Sequence, residues 1–212
     1  AAPWLLGTSY LGELTAVLIW SLAGLGLMLI SGHTGQVSLG HAAFMAIGAF
    51  TNLALMMRGW HFIPALLASA VTSGVLGAII SRPILRMSGI YLAIATLALS
   101  IIIEDVSIIA EPITGGVAGL FAPPIDMFGL KIDRYTSPAA FYYLCLTVLV
   151  IVTLGYLNLL RSASGRSFLA VRDSEVSARA LGVNVARAKT LSFALSCAMT
   201  GLAGALYAHL AQ

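Results

Sequence analysis

Long apolar runs constrain the fold of this chain more than any other feature. Runs of roughly 20 residues with few charges recur along the sequence, and an α-helix needs about that length to cross a hydrocarbon core about 30 Å thick. The composition agrees, because 59% of the residues are hydrophobic and only 9% are charged, whereas soluble domains carry about 25% charged residues. We therefore predict an all-α, polytopic helical membrane protein and exclude a soluble domain.

The apolar runs predict six transmembrane helices within one transmembrane domain that covers 1–212. Two connections are long, at about 110–138 and about 161–189. The first ten residues lack the basic segment that begins a secretory signal peptide. The predicted spans are about 11–30, 37–57, 62–80, 90–109, 139–160 and 190–210.

The distribution of basic residues predicts the orientation in the membrane, because cytoplasmic loops are enriched in Lys and Arg. Eight basic residues fall on one side of the predicted spans and three on the other. The loops at 81–89 and 161–189 are thus predicted to be cytoplasmic, and the loop at 110–138 external. The positive net charge is explained by topology and does not require a nucleic-acid partner. The cytoplasmic set is Arg82, Arg86, Arg161, Arg166, Arg172, Arg179, Arg187 and Lys189, and the external set is Arg58, Lys131 and Arg134.

Small residues recur at helical spacing in two of the predicted spans. Such stripes allow helices to approach closely in lipid, and they fit either an interface with a partner subunit or packing within this chain. The two cysteines, Cys145 and Cys197, fall inside apolar segments and are expected to be buried thiols. The stripes include Ser69, Ser73 and Gly77, then Ala70, Gly74 and Ala78, and also Ser196, Thr200, Gly204 and Ala208.

The long basic loop carries the signals of a short capped helix at about 175–181. Ser174 is a favourable N-cap, Glu175 suits the first turn, and Arg179 suits the last turn. Gly182 stands where a left-handed residue commonly ends a helix, and 165–172 is predicted to lie along the membrane surface. A short helix displayed between two spans is either a docking element or a cover for the ends of the bundle.

The stretch SGHTGQVSLGHAAF, at 31–44, places polar residues and glycines between two apolar runs. Non-helical backbone at membrane depth is tolerated only where protein or water satisfies its polar groups. Three interpretations remain open: an interfacial turn whose polar side chains face the headgroups, a broken helix that lines a translocation path, and a catalytic site. Gln36 or Ser38 is predicted to cap the next helix, whose N-terminus suits a carboxylate.

The titratable residues near this stretch point to hydrogen bonding and not to a metal site. His41 is expected inside the bundle, because an apolar run follows it, and His33 is expected to meet water. No acidic residue nearby completes a metal site, and Ser38 lacks the context of a hydrolase nucleophile. Glu104, next to Asp105 in the fourth span, is a candidate functional carboxylate. We therefore expect no catalytic residue, no bound metal and no cofactor.

Four stretches together resemble one family. They are SGHTGQVSLGHAAFMAIGAF, GIYLAIATLAL at 89–99, ITGGVAGL at 113–120, and GRSFLAVRDSEVSARALGVNVARAKTLSFALSCAMTGLAGALYA. These motifs and their order along the chain are similar to those of permease subunits of bacterial branched-chain amino acid ABC importers. Relatives of those importers also transport amides or urea. The resemblance covers about 20–210. It implies a multi-pass protein of the bacterial inner membrane that works as an importer.

The resemblance also implies partners and functional residues. Partners would be cytoplasmic ATP-binding subunits, a homologous second permease subunit, an external substrate-binding protein and the lipid bilayer. The sequence has no phosphate-binding loop of the G-x-x-x-x-G-K-[ST] type, which agrees with ATP hydrolysis on another chain. The coupling loop would use Arg172, Asp173, Glu175, Ala178, Leu181 and Gly182, and the substrate pathway Gln36, Ser38, His41, Phe44 and Glu104.

Two departures from the family pattern are visible in the sequence. Relatives carry an acidic residue about one turn before Glu104, where this chain has Ile101. Relatives also continue for several more spans, so we expect either a piece of a longer subunit or an unusually short one. The charged residues Asp126, Lys131, Asp133 and Arg134 are candidates for contact with a binding protein. The alternative function is a secondary transporter or channel for a small polar solute such as urea or an amide.

Overall fold

The computed structural model describes residues 8–84, 89–116, 119–127, 130–132 and 137–211. The described chain is almost entirely helical, apart from one pair of three-residue strands. The helices are α1 (Thr8–Thr34), α2 (His41–Met57), α3 (Phe62–Ile84), α4 (Ile90–Ile109), α5 (Glu111–Thr114), α6 (Pro138–Arg161), α7 (Ala163–Asp173), α8 (Glu175–Ala180) and α9 (Val185–Leu210), and the strands are β1 (Ile125–Met127) and β2 (Leu130–Ile132).

Within the described residues, five helices are long and apolar enough to cross a membrane: α1, α3, α4, α6 and α9. The predicted second span is helix α2, which has only 17 residues, because the chain stays extended until Gly40. Helix α9 begins five residues earlier than predicted, at Val185. Asn184 caps it, since its side-chain oxygen accepts a hydrogen bond from the backbone N–H of Arg187 at 2.9 Å.

Helix α9 is the centre of the bundle and packs against α1, α2 and α3. Small residues bring these helices together. A Cβ added to Gly77 would lie 2.7 Å from Cys197 Sγ, and one added to Gly204 would lie 2.7 Å from the Met45 carbonyl carbon. The Ser69–Ser73–Gly77 and Ser196–Thr200–Gly204 stripes therefore serve packing within this chain. Cys145 and Cys197 are buried free thiols, as predicted.

Helices α4 and α6 lie at the edge of the bundle and bury few side chains. At the end of the bundle where α6 begins, β1 and β2 pair antiparallel with Ile125 opposite Ile132, and both side chains join the apolar core. Asp126 beside them is exposed. The Lys131 side chain, Arg86, Asp133 and Arg134 fall outside the described residues.

The opposite end of the bundle, which we call the basic end, brings together the last turns of α1 and α6 and the first turn of α9. Helix α7 lies across it and contacts these three helices, and α8 contacts α7 and α9. Helix α7 buries Phe168 and Val171 while Arg166 and Arg172 stay exposed. The apolar residues of 165–172 thus pack against the bundle, and the placement of this segment along the membrane surface stays a prediction.

Candidate substrate pathway and coupling surface

The break between α1 and α2 turns its polar side chains inward. After Thr34, Gly35 has a φ of +69°, a conformation that favours glycine. The chain then runs extended, so successive side chains alternate: Gln36 and Ser38 are buried whereas Val37 and Leu39 are exposed. The interpretation as a turn whose polar residues face the headgroups is therefore wrong for this segment.

The prediction that Gln36 or Ser38 caps α2 is also wrong. The residue at the N-cap is Gly40, and no side chain caps the helix. Gly40 is needed for packing instead, since an added Cβ would lie 2.5 Å from the carbonyl oxygen of Thr96 on α4. The same threonine accepts a hydrogen bond at 3.0 Å from the backbone N–H of Leu39. The extended segment is thus attached directly to α4.

His41 joins the break to helices α1 and α9. Its Nε2 lies 2.5 Å from Ser196 Oγ, and its Nδ1 lies 3.0 Å from Ser38 Oγ. Ser196 Oγ already donates its proton to the carbonyl of Gly26 at 2.5 Å. Ser196 must therefore accept from His41 Nε2–H, which leaves Nδ1 to accept from Ser38. The prediction that His41 lies inside the bundle is confirmed, and both ring nitrogens are used in holding the break.

Gln36 has one unsatisfied acceptor beside α9. Its Nε2 donates to Ser192 Oγ at 3.4 Å, and Ser192 Oγ donates to the carbonyl of Lys189 at 2.9 Å. Its Oε1 is buried and has no hydrogen-bond partner among the described residues. A buried acceptor without a partner is costly, so a small movement of this segment that exposed the oxygen would let it accept a hydrogen bond.

A cleft of about 510 Å³ opens between α2 and α4 next to the break. One wall is the small-residue face of α2, with Ala42 and Ala46; the other is α4, with Ser100, Glu104 and Ser107. These positions continue the helical face that begins at Thr96, so a polar stripe runs along α4 from the break. The structure therefore brings the predicted Glu104 to the same side of the bundle as the break.

The polar groups of the cleft are hydrogen-bond acceptors. Ser100 Oγ donates to the Leu97 carbonyl at 2.8 Å and Ser107 Oγ to the Ile103 carbonyl at 2.6 Å, so their lone pairs remain free. Glu104 is exposed and has no ion-pair partner in the described part of the chain. This arrangement suits a solute that presents hydrogen-bond donors, above all an ammonium group.

Of the predicted pathway residues, only Glu104 lines this cleft, whereas Gln36, Ser38 and His41 lie at the break beside it. Phe44 is fully buried in the core, where its ring meets Phe193 edge to face at 5.7 Å. His33 is half-buried, and its Nδ1 lies 3.0 Å from Tyr156 Oη on α6. Phe44 therefore holds the start of α2 in place, and His33 has a protein contact that its sequence context did not indicate.

The predicted short helix in the basic loop is confirmed as α8. Ser174 caps it by accepting from Ser177 N–H at 3.2 Å, and Gly182 follows it with a φ of +82°. Ala178 is buried against the bundle, whereas Val176 and Leu181 are 79% and 82% exposed. Helix α8 thus rests on its small residue and presents two large apolar side chains outward, which is an arrangement suited to a protein partner.

Two charged contacts connect α7 and α8 to the helices that border the break. Glu175 Oε1 lies 2.5 Å from Nζ of Lys189 on α9, whose side chain is only 10% exposed. Arg172 Nη1 donates to the carbonyl of Gly32 on α1 at 3.1 Å, and Arg172 also pairs with Asp173 at 3.0 Å. A movement of α8 would therefore reach the ends of α1 and α9 through direct contacts.

The residues of the candidate site that the motifs did not identify lie on α9. Lys189, Ser192 and Ser196 share one helical face and contact Glu175, Gln36 and His41 respectively. Their spacing of three and four residues in an otherwise apolar span was a visible signal of a polar face. Ser196 was assigned only to a small-residue stripe, because a serine in a span fits both packing and hydrogen bonding.

Comparison with known proteins places the chain in a transport family. The family model described as branched-chain amino acid transport system / permease component matches residues 9–211. The chain is 32% identical to the high-affinity branched-chain amino acid transport system permease protein LivM of Salmonella typhimurium and to that of Escherichia coli, with 98% of this chain and 54% of each relative covered. It is 25% identical to the autoinducer 2 import system permease protein LsrC of Escherichia coli, with 97% of this chain and 59% of that relative covered.

The chain spans about half the length of the LivM relatives that it matches. No solved structure matches it significantly. The family match covers nearly all of the chain and includes the break, the cleft and the basic loop. The chain is therefore a multi-pass membrane protein that belongs to the branched-chain amino acid transport system permease family.

Proposed function

We propose that this chain is the membrane-spanning part of a permease subunit in an ATP-driven importer of branched-chain or related amino acids, in the bacterial inner membrane. Membership of the permease family supports the class of function. The LivM relatives, whose names give branched-chain amino acid transport, support the substrate class. ATP is hydrolysed by separate cytoplasmic subunits, a homologous second permease completes the membrane part, and an external binding protein delivers the substrate.

The cleft between α2 and α4 is the proposed substrate path. Its acceptor groups, with Glu104 at their centre, attract the ammonium of an amino acid, while Ala42, Ala46 and Phe50 offer an apolar wall for an aliphatic side chain. The break lies next to this path, and His41 attaches it to α9 through Ser196 while Ser38 holds the His41 ring.

The observation that carries the coupling role is the ion pair between Glu175 and Lys189. It joins the displayed helix α8 to the face of α9 that carries Ser192 and Ser196, the residues that hold Gln36 and His41. An ATP-binding subunit that closes on Val176 and Leu181 pulls or tilts α8. The buried Lys189 transmits this movement to the break, and the path alternates between its two openings.

The test is uptake by the complete transporter reconstituted in proteoliposomes. Glu175→Gln and Lys189→Gln each remove one member of the pair, and Glu175→Gln leaves the nearly buried Lys189 without its partner. We therefore expect ATP-dependent uptake to fall by about tenfold or more while the ATP-binding subunits still co-purify. Arg179→Gln is the matched control, because Arg179 pairs with the same Glu175 only at 3.7 Å on the exposed surface. It is expected to leave uptake within about twofold of the unmodified protein.

The alternative function, a secondary transporter or channel, predicts the opposite result in this uptake test. Uptake that continues without ATP, or that is unaffected by loss of either Glu175 or Lys189, would contradict the coupling role.

A further inference from the structure

A second groove, of about 410 Å³, lies at the basic end between α7 and the start of α9. Its lining is divided by chemistry. The polar part contains Ser164, Ser167 and Arg187, and the apolar part contains Phe168, Leu181 and Leu191. None of the residues that line the groove is acidic. The groove is therefore amphipathic, since its lining combines a positive charge and hydroxyl groups with apolar side chains.

The positive charge in this groove forms no ion pair within the described part of the protein. Arg187 is exposed and has no ion-pair partner among the residues that the structure describes. The Ser164 hydroxyl likewise makes no hydrogen bond within the described chain, whereas Ser167 Oγ donates to the Ala163 carbonyl at 2.9 Å. A guanidinium beside a free hydroxyl donor is well suited to a phosphate oxygen.

The position of the groove matches the boundary between headgroups and acyl chains. Leu191 lies six residues into α9, which is about 9 Å along the helix axis, and it is partly exposed on a membrane-spanning helix. Helix α7 forms the other wall. Arg187 lies in the first turn of α9, and Leu191 lies about 6 Å further along the helix axis, so the charge is at headgroup level and Leu191 lies on the hydrocarbon side of it.

We propose that this groove binds one anionic phospholipid of the cytoplasmic leaflet. The lipid phosphate contacts Arg187 and the Ser164 hydroxyl, and the upper part of an acyl chain lies against Leu191. The excess of basic residues at this end of the bundle favours an anionic lipid over a zwitterionic one. Because α7 leads directly into α8, the bound lipid fixes the helix that carries the displayed surface, whatever solute the transporter moves.

The experiment uses the complete subunit, purified with its partners and placed in nanodiscs that contain equal amounts of phosphatidylglycerol and phosphatidylcholine. Native mass spectrometry then measures which lipids stay bound after the disc is removed. We expect phosphatidylglycerol to be retained in preference to phosphatidylcholine. Arg187→Gln should reduce that preference by about fivefold, the effect of one basic residue near a membrane surface.

Two further variants separate this site from general attraction to the membrane. Arg161→Gln is the matched control: Arg161 is exposed at the same end of the bundle but does not line the groove, so the preference should change by less than about twofold. Ser164→Trp fills the groove without a change in charge and should abolish the retained lipid. Thermal unfolding of each variant, measured without added lipid, establishes that it is folded.

Three results would overturn the proposal. Equal retention of the two lipids would exclude an anionic site, and equal effects of Arg187→Gln and Arg161→Gln would show that the attraction is not local. If Ser164→Trp left lipid retention unchanged but released the ATP-binding subunits, the groove would be part of the protein interface instead. Because lipid retention is measured without transport, the result is independent of the proposed import function.

Discussion

At the residue scale, single glycines decide how closely the helices pack. Gly204 faces the backbone of α2, where an added Cβ would lie 2.9 Å from Met45 Cα, whereas Gly155 on α6 has nothing within 4 Å of the same position. Backbone atoms cannot move aside as the end of a flexible side chain can. Alanine substitutions at Gly204 and Gly155 can therefore be compared directly, because the added methyl group meets backbone atoms at the first position and open space at the second.

Gly204→Ala should lower the free energy of unfolding by about 1–3 kcal/mol, because the methyl group overpacks the α9–α2 contact. Gly155→Ala should leave it unchanged or raise it by about 0.5–1 kcal/mol, since alanine is the better helix former. Thermal unfolding in a mild detergent measures both. Equal effects of the two substitutions would show that the close approach of α9 and α2 is not a property of the protein in solution.

Glu104 is the residue whose charge matters most for the proposed path. Glu104→Gln should reduce uptake of an amino acid by about tenfold, since it removes a charge-assisted contact to the ammonium group. Its neighbour Asp105 is also exposed but does not line the cleft, so Asp105→Asn should have little effect. The measurement is the initial rate of substrate uptake in proteoliposomes. Similar losses in both variants would assign Glu104 to the external surface and not to the path.

At the element scale, the local signals in the sequence predicted helices well and the break less well. Ser174, Glu175 and Gly182 specify α8 through interactions within one short segment, so its position was predicted to within a residue. The orientation of Gln36 and Ser38 depends on contacts with α9 and α4 that lie far away in sequence. No pattern in 31–44 alone contains that information, and for this reason the capping prediction failed.

The capping of α8 can be tested directly. Ser174→Ala should destabilise this helix by about 1 kcal/mol, because the Ser177 N–H loses its acceptor. Ser174→Asp retains an acceptor and should behave like the unmodified protein. Affinity for the ATP-binding subunits is the appropriate measurement, and we expect a loss of about fivefold for the alanine variant only. The control is Ser177→Ala, whose exposed side chain makes no hydrogen bond in the described structure; a comparable loss there would exclude a specific effect of the cap.

At the scale of the whole molecule, the hydropathy pattern was sufficient for the number and order of the main helices. It did not predict which helix lies at the centre. Helix α9 is the least hydrophobic of the five long helices by mean hydropathy, and its serines, threonine and glycines allow three other helices to pack on it. The helix at the centre of a membrane bundle is favoured by small side chains and not by high hydrophobicity. Helix α9 also carries the polar contacts that join the basic end to the break.

The central claim is that movement of α8 reaches the substrate path through Lys189. A single cysteine introduced in the cleft, Ser100→Cys, reports on this because Cys145 and Cys197 are buried. The decisive measurement is the rate at which a water-soluble thiol reagent labels that cysteine in the complete transporter, with and without a non-hydrolysable ATP analogue. We predict that the nucleotide changes the labelling rate by several-fold, that Lys189→Gln abolishes the change, and that Arg179→Gln preserves it. A labelling rate that is independent of nucleotide, or a nucleotide effect that survives in Lys189→Gln, would contradict the claim.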